Sequence, residues 1–233
     1  DISSEAAVVM ENTTNTILYS KNADEVLFPG STVKIMTCLL ALENTQLTDE
    51  VTMTATGVSG VTDGGASISS QVDEVFTVEQ CLYAIMVASA NDIALQIAEH
   101  VGGSVDGFVQ QMNTRAQELG CTNTVFTNPT GLPDDNQHTT AHDMALIMQA
   151  AIQNESFRTI AAATSYTIPA TNKAAARNLT SKFTMTDTGS TGFYEGCIGG
   201  KEGYTEASGS TLVCAAQRNG MTLISVVLKG ASG

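Results

Sequence analysis

Ser31 and Lys34 stand three residues apart at the head of an apolar run, Thr32 to Leu42, which Pro29 and Gly30 separate from what precedes it. Eleven such residues without two-residue alternation are too long for an ordinary strand, so the spacing predicts a buried helix. Ser31 then falls at the helix start and Lys34 one turn on, on the same face. Burial disfavours an ammonium and lowers its pKa, which lets a lysine take a proton from a serine. Free N–H groups and the positive end of the helix dipole would lie beside the hydroxyl. Together these describe an activated serine nucleophile. The plainer explanation is an N-cap serine and a lysine that snorkels to the surface. With six lysines and eighteen serines, about half an S-x-x-K match is expected by chance. The pair needs further support.

Two other stretches could supply it. Acyl transfer wants a second hydroxyl to relay the proton, an amide to hold the substrate backbone and a cation to settle negative charge. Ser89-Ala90-Asn91 follows a helix-forming segment, which frees both polar side chains to face a cleft. A helix-linking turn explains it equally well. Lys201-Glu202-Gly203 falls on an expected strand beside Gly199 and Gly200, where a ligand backbone could approach closely. A flexible strand edge is the alternative.

These residues need a scaffold, and the pattern describes one. Residues 6–11 and 16–20 read as a β-hairpin around Asn12-Thr13-Thr14-Asn15. Residues 51–56 favour a strand and 57–72 a Gly/Ser-rich loop. Thr77-Val78-Glu79-Gln80 is a capping box opening a helix to about Ala88. Asp92 is the expected N-cap of a helix to His100, and Ser104 opens another closed by Gly120. A long loop over 121–139 precedes helices from Ala141 to about Gln153 and over 156–163. Short strands are expected at 165–168 and 178–184, then three at Cys197–Thr205, Ser210–Gln217 and Met221–Leu228. Hairpin, helices, then meander implies an α+β protein with a helical insertion in one antiparallel sheet. The expected lobes are α/β over about 1–56 and 165–233, and helical over about 57–164.

Composition narrows the function. A net charge of −14 argues against nucleic acid, because too few cations are available to replace phosphate counterions. No apolar run approaches the roughly 18 residues of a membrane span. The five cysteines form no C-x-x-C pair, so zinc and thioredoxin chemistry are not expected. Cys38 and Cys81 read as buried small hydrophobes. Cys197 and Cys214, almost equidistant from the turn between their strands, are placed so that they could face each other, as a disulfide or as reduced neighbours, and the sequence leaves the pairing open. His138 and His142 lie four apart without the acid of an H-E-x-x-H motif, so neither a metal site nor a cofactor is expected. The sequence opens at Asp1 with no basic and apolar leader, as if a signal peptide had been removed.

Taken in order, Ser31/Lys34, Ser89/Asn91 and Lys201/Gly203 resemble the active-site signature of penicillin-binding proteins and serine β-lactamases. The stretch from Leu27 to Thr37 is similar to the nucleophile helix of low-molecular-weight D-alanyl-D-alanine carboxypeptidases. So are Ser89-Ala90-Asn91-Asp92, Phe126-Thr127-Asn128-Pro129-Thr130-Gly131-Leu132, Asp143-Met144-Ala145 and Leu223–Val227. The resemblance runs from about residue 6 to 229. It implies a penicillin-binding protein/β-lactamase-like fold with a five-stranded antiparallel sheet. It implies a serine D,D-carboxypeptidase that removes the terminal D-alanine of peptidoglycan stem peptides through an acyl-enzyme, with β-lactams as covalent inhibitors. Ser31 would be acylated, Lys34 would be the base, Ser89 a proton relay, and Asn91 a clamp on the substrate carbonyl. Lys201 would supply positive charge near Ser89 and the substrate carboxylate. Glu202, Gly203, Tyr204 and Thr205 would line the substrate site, with the backbone N–H groups of Ser31 and Tyr204 as oxyanion hole. The family's usual place is the bacterial cell surface or periplasm. Membrane association there comes through a C-terminal β domain and anchor not present in these 233 residues.

Two positions depart from that family. Thr130 stands where several relatives have histidine. Glu202 replaces a hydroxyl that donates to the substrate's terminal carboxylate. At ~4 Å, like-charge repulsion is about 1 kcal/mol in water and about 4 kcal/mol at an effective dielectric near 20. The substitution can reduce activity severely, go with a different substrate, or be relieved if Glu202 turns away. Weakened carboxylate and β-lactam recognition is expected, and a catalytically weak peptidoglycan-binding or sensing protein is the alternative. A β-lactamase would need a deacylating glutamate near the nucleophile, and no E-x-x-L-N-like segment is visible.

Overall fold

A computed structural model describes residues 2–61 and 65–231. The chain opens with β1 (Ala6–Glu11) and β2 (Ile17–Lys21), the expected hairpin. A 3-10 turn over Gly30–Val33 leads into α1 (Lys34–Asn44). The apolar run is thus helical, but Ser31 lies inside the 3-10 turn rather than at a side-chain N-cap. β3 (Glu50–Thr52) is shorter than expected, because Gln96 Oε1 accepts from Thr54 N at 2.8 Å and Thr54 caps α2 (Ala55–Ser59). β4 (Val75–Thr77) pairs with β3. Thr77 and Gln80 close the expected capping box on α3 (Val78–Ala88).

α4 (Asn91–Gly102) follows after only two residues, then α5 (Val105–Glu118) with Ser104 as N-cap. Asp92 is not the N-cap of α4. It lies in the first turn, and its carboxylate accepts from Ser67 Oγ at 2.8 Å and Ser70 Oγ at 2.7 Å. Two tertiary partners win over the local cap. Next come α6 (Ala141–Ala151), α7 (Glu155–Ala161), and the small ribbon of β5 (Ser165–Ile168) and β6 (Arg177–Thr180). β6 is shorter at its end than expected. β7 (Cys197–Thr205), β8 (Gly209–Arg218) and β9 (Met221–Gly230) complete the chain. Asn219 and Gly220, at φ 51° and 76°, form the two-residue turn between β8 and β9, where positive φ at both positions matches the twist of the strands.

The five-stranded antiparallel sheet has the order β2-β1-β9-β8-β7, so the first hairpin joins the last three strands side by side, β1 against β9. α6 packs on β1 and β9, α7 packs on β7, and α1 touches α3, α4, α5, α6 and α7. The core is continuous, and α1 contributes Ile35, Met36, Cys38 and Ala41, each no more than 1% exposed. A helix that is apolar all round must be enclosed by others.

Cys197 and Cys214 do not face each other. Cys197 pairs with Ala216 and Cys214 with Gly200, across a register shift between Cys197 and Gly199. All five cysteines are free. The extra residue shifts one partner along the strand, and the symmetry read about the turn is lost. Burial pushes the Cys38 and Cys214 thiols up to about 12, so both are inert hydrophobes at neutral pH.

Candidate active site

The Ser31 turn is held from two sides. Gly30 sits at φ 58°, and a Cβ at Gly131 would come within 1.9 Å of the Gly30 carbonyl oxygen, so only glycine lets the 128–133 loop press so closely. Asn128 shapes that loop. Its Oδ1 accepts from Thr130 N at 3.2 Å and Gly131 N at 2.8 Å, while its Nδ2 donates to Leu132 O at 3.0 Å. On the other side lies β7, where a Cβ at Gly203 would stand 2.8 Å from Ser31 N.

Lys34 runs beneath this turn, 1% exposed. Its Nζ donates to Thr130 O at 2.6 Å and lies 3.3 Å from Ser31 Oγ. Burial drives the Lys34 ammonium well below its ordinary pKa, and the charge of Lys201 pushes the same way against the pull of Glu202. A neutral amine in that position has two hydrogens and a lone pair. One hydrogen goes to Thr130, and the lone pair can face Ser31 O–H.

Lys201 is also buried, at 0% exposure, and burial likewise lowers its pKa while Glu202 raises it. Its Nζ donates to the Glu202 carbonyl oxygen at 2.8 Å and to Glu202 Oε1 at 3.0 Å. Among the described residues, no hydrogen bond joins Lys201 to Ser89. Glu202 has therefore turned back onto its neighbour.

Ser89 ends α3 with φ 55°, a left-handed C-cap that lifts its side chain off the helix axis. Asn91 begins α4, and its N–H donates to Ala66 O at 2.8 Å. Its side chain is 4% exposed, and Oδ1 has no hydrogen-bond partner among the described residues. Asp92 anchors the segment carrying Ala66 to α4, so the wall opposite Ser31 is fixed by its hydrogen bonds.

A single cleft of about 790 Å³ is lined by Ser31, Ser89 and Asn91 together with Glu202, Gly203, Tyr204 and Thr205. Lys34 and Lys201 are enclosed behind its wall. All the residues singled out in the sequence thus converge. Thr205 has its hydroxyl engaged with Ser208 Oγ at 2.8 Å, in the turn from β7 to β8. Tyr204 is 60% exposed at the rim. The same cleft reaches Thr180, Lys182 and Thr211, which the sequence did not single out. Lys182 is an isolated lysine in a polar stretch and carries no pattern. The Thr130 carbonyl is a backbone atom in a turn, and only the Asn128-Pro129 turn signal hinted at it. Among the described residues, no cluster of three His, Cys, Asp or Glu side chains is placed to hold a metal ion. No described helix is long and apolar enough to cross a membrane.

Known proteins resemble the chain in sequence and in fold. A sequence model of the D-alanyl-D-alanine carboxypeptidase family, S11, matches residues 1–232. The D-alanyl-D-alanine carboxypeptidase DacF of Bacillus subtilis is 36% identical over 97% of this chain, which covers 57% of that protein. The D-alanyl-D-alanine carboxypeptidase of Streptomyces K15 is 33% identical over 96% of this chain and is covered to 79%. A crystal structure of the Streptomyces K15 DD-transpeptidase superposes with a TM-score of 0.92 at 31% identity, covering 100% of this chain and 92% of that one. This chain spans little more than half the length of the Bacillus relative.

Proposed function

The chain belongs to the D-alanyl-D-alanine carboxypeptidase family, and from that premise we propose that it is a serine acyltransferring hydrolase of peptidoglycan stem peptides, releasing the terminal D-alanine. The observation that carries this reading is Lys34, a buried amine held between Ser31 Oγ and the Thr130 carbonyl. A cationic lysine cannot act as a base, and burial beside a second lysine lowers the pKa of this one well below its ordinary value, which favours the neutral amine.

Each residue then has one task. Ser31 Oγ attacks the carbonyl carbon of the penultimate residue while its proton passes to Lys34 Nζ. The N–H groups of Ser31 and Tyr204 receive the developing oxyanion. Removal of one such donor typically costs about 10²–10³ in turnover. Asn91 holds the substrate backbone, and Ser89 carries the proton to the nitrogen of the leaving residue as the C–N bond breaks. Water then cleaves the ester. A β-lactam would acylate Ser31 in the same way, with its ring nitrogen as the tethered leaving group. Lys201, Gly203 and Thr205 shape the leaving-group side. No cofactor takes part. We assign the cleft to the junction of an α/β lobe, about 1–56 and 165–233, with a helical lobe, about 57–164. The substrate's location places the protein at the extracytoplasmic face of a bacterial cell.

A second reading has one observation in its favour. Lys201 is engaged by Glu202, which fits a protein that binds stem peptides but turns them over weakly. Labelled penicillin separates the two. Acylation of the parent, lost in Ser31→Ala and in Lys34→Met, supports the hydrolase. No acylation at millimolar penicillin, together with no release from Lys-D-Ala-D-Ala or its C-terminal amide, supports the binder.

A further inference from the structure

We propose that Glu202 converts the leaving-group side of the cleft from a carboxylate site into a site for hydrogen-bond donors, so that the preferred substrates present an amide or ammonium there instead of a free α-carboxylate. This rests on the acyl-transfer reading above and deepens it.

The cation that should receive a carboxylate is already taken. Lys201 Nζ is fully buried, and its two hydrogen bonds go to the Glu202 carbonyl oxygen at 2.8 Å and to Glu202 Oε1 at 3.0 Å. Lys201 and Glu202 form an ion pair, so an incoming carboxylate meets a closed pair in place of a free ammonium. The remaining atoms show what the site lacks. Glu202 Oε2 is buried and has no hydrogen-bond partner among the described residues, and Asn91 Oδ1 is in the same condition. Both residues line the cleft with Ser31. Two orphaned buried acceptors carry a desolvation penalty that only a donor can relieve. A carboxylate brings acceptors alone, whereas an amide or ammonium brings N–H groups. Asn91 already has a task in the proposed mechanism, where its amide holds the substrate backbone and Oδ1 can accept a backbone N–H. Glu202 Oε2 is left for the leaving group.

The chemistry is otherwise unchanged. The Ser31 Oγ–acyl bond forms, the C–N bond to the leaving residue breaks, and the serine proton ends on the departing nitrogen. Water then returns a hydrogen to Ser31 and its hydroxyl to the acyl carbon. Among the described residues, the cation on the cleft wall is Lys182, and the test includes it.

The experiment measures kcat/KM for Lys-D-Ala-D-Ala as the free acid and as its C-terminal amide, in the parent and in Glu202→Thr, Glu202→Gln and Lys182→Ala. The parent should favour the amide by at least about tenfold, since an amide N–H can pair with Glu202 Oε2 whereas a carboxylate leaves that acceptor unpaired. Glu202→Thr should invert the ratio through a gain for the free acid, and Glu202→Gln should bring it near one. Lys182→Ala should leave the ratio as it is. A parent that favours the free acid overturns the proposal, and loss of that preference in Lys182→Ala would place the carboxylate on Lys182. A ratio unmoved by Glu202→Thr overturns it too. Turnover of neither peptide by any of the four proteins falls on the hydrolase reading itself.

Discussion

Replacing Gly203 by alanine should disable the site through contact with the nucleophile's own backbone. The added Cβ would stand 2.8 Å from Ser31 N, 2.8 Å from Thr211 Oγ1 and 3.1 Å from Ser31 Cβ. Ordinary carbon contacts begin near 3.4 Å, so β7 and the Ser31 turn must separate by about 0.6 Å. Both proposed oxyanion donors, Ser31 N and Tyr204 N, lie at that seam, and displacement of one by this much approaches its removal. A loss of about 10² in acylation is expected, or about 2.7 kcal/mol of transition-state stabilisation. Overpacking costs about 1–3 kcal/mol of stability, which lowers Tm by about 2–4 °C per kcal/mol in a chain of this size. The assay is stopped-flow acylation by a chromogenic penicillin, with a thermal melt as control. Adding Thr211→Ala removes one of the two 2.8 Å contacts and leaves that with Ser31 N. It should recover stability without recovering rate. A folded Gly203→Ala protein that acylates within about threefold of the parent would refute the close-approach argument.

The pH profile should report Lys34. Its pKa is lowered in the fold, and only the neutral amine is a base, so acylation should rise as pH climbs through that depressed value. A rate that is flat with pH, or identical in Lys34→Met, would contradict it. The same depression means that the unfolded chain binds more protons between the folded value and the ordinary lysine value of 10.5. Stability should therefore rise with pH across that window, and Lys34→Met should flatten the rise in a denaturant series. Arg177→Ala should cost about 3–5 kcal/mol in a urea titration, because Glu74, 0% exposed, would keep its charge without its 2.8 Å partner. Burial raises the Glu74 pKa, but Arg177, Thr171 and the Gln71 N–H outweigh it and hold it low. That contribution is present above the unfolded value near 4.5 and should fade as pH falls through the folded one. Asn128→Ala should lower stability by about 1–3 kcal/mol and slow acylation, since it frees the loop that aims the Thr130 carbonyl at Lys34. Asn128→Asp, which keeps the acceptor, should recover most of the rate.

The fold was legible where a single physical signal was strong. The capping box at Thr77, the Ser104 cap of α5 and Gly120 just past its end each act locally. Misreadings arose where a tertiary partner took a side chain away from its local role. Asp92 would have capped α4, but Ser67 and Ser70 hold its carboxylate. Thr54 would have extended β3, but Gln96 and the start of α2 claim it. The facing of Cys197 and Cys214 failed because a bulge cannot be read from spacing alone. In the site, the residue types of Ser31, Lys34, Ser89, Asn91 and Lys201 were visible, because chemistry demands side chains. The Thr130 carbonyl, the fit of Gly131 against Gly30 and the turn of Glu202 onto Lys201 were not, because they depend on how separate segments meet.

Release of D-alanine from Lys-D-Ala-D-Ala, followed against time for the parent and for Ser31→Ala, tests the central claim most directly. The parent should release it slowly but catalytically, with an acyl adduct that peptide mapping places on Ser31, and the variant should give neither release nor adduct. Equal release by both proteins, or an adduct on any other residue, would contradict it.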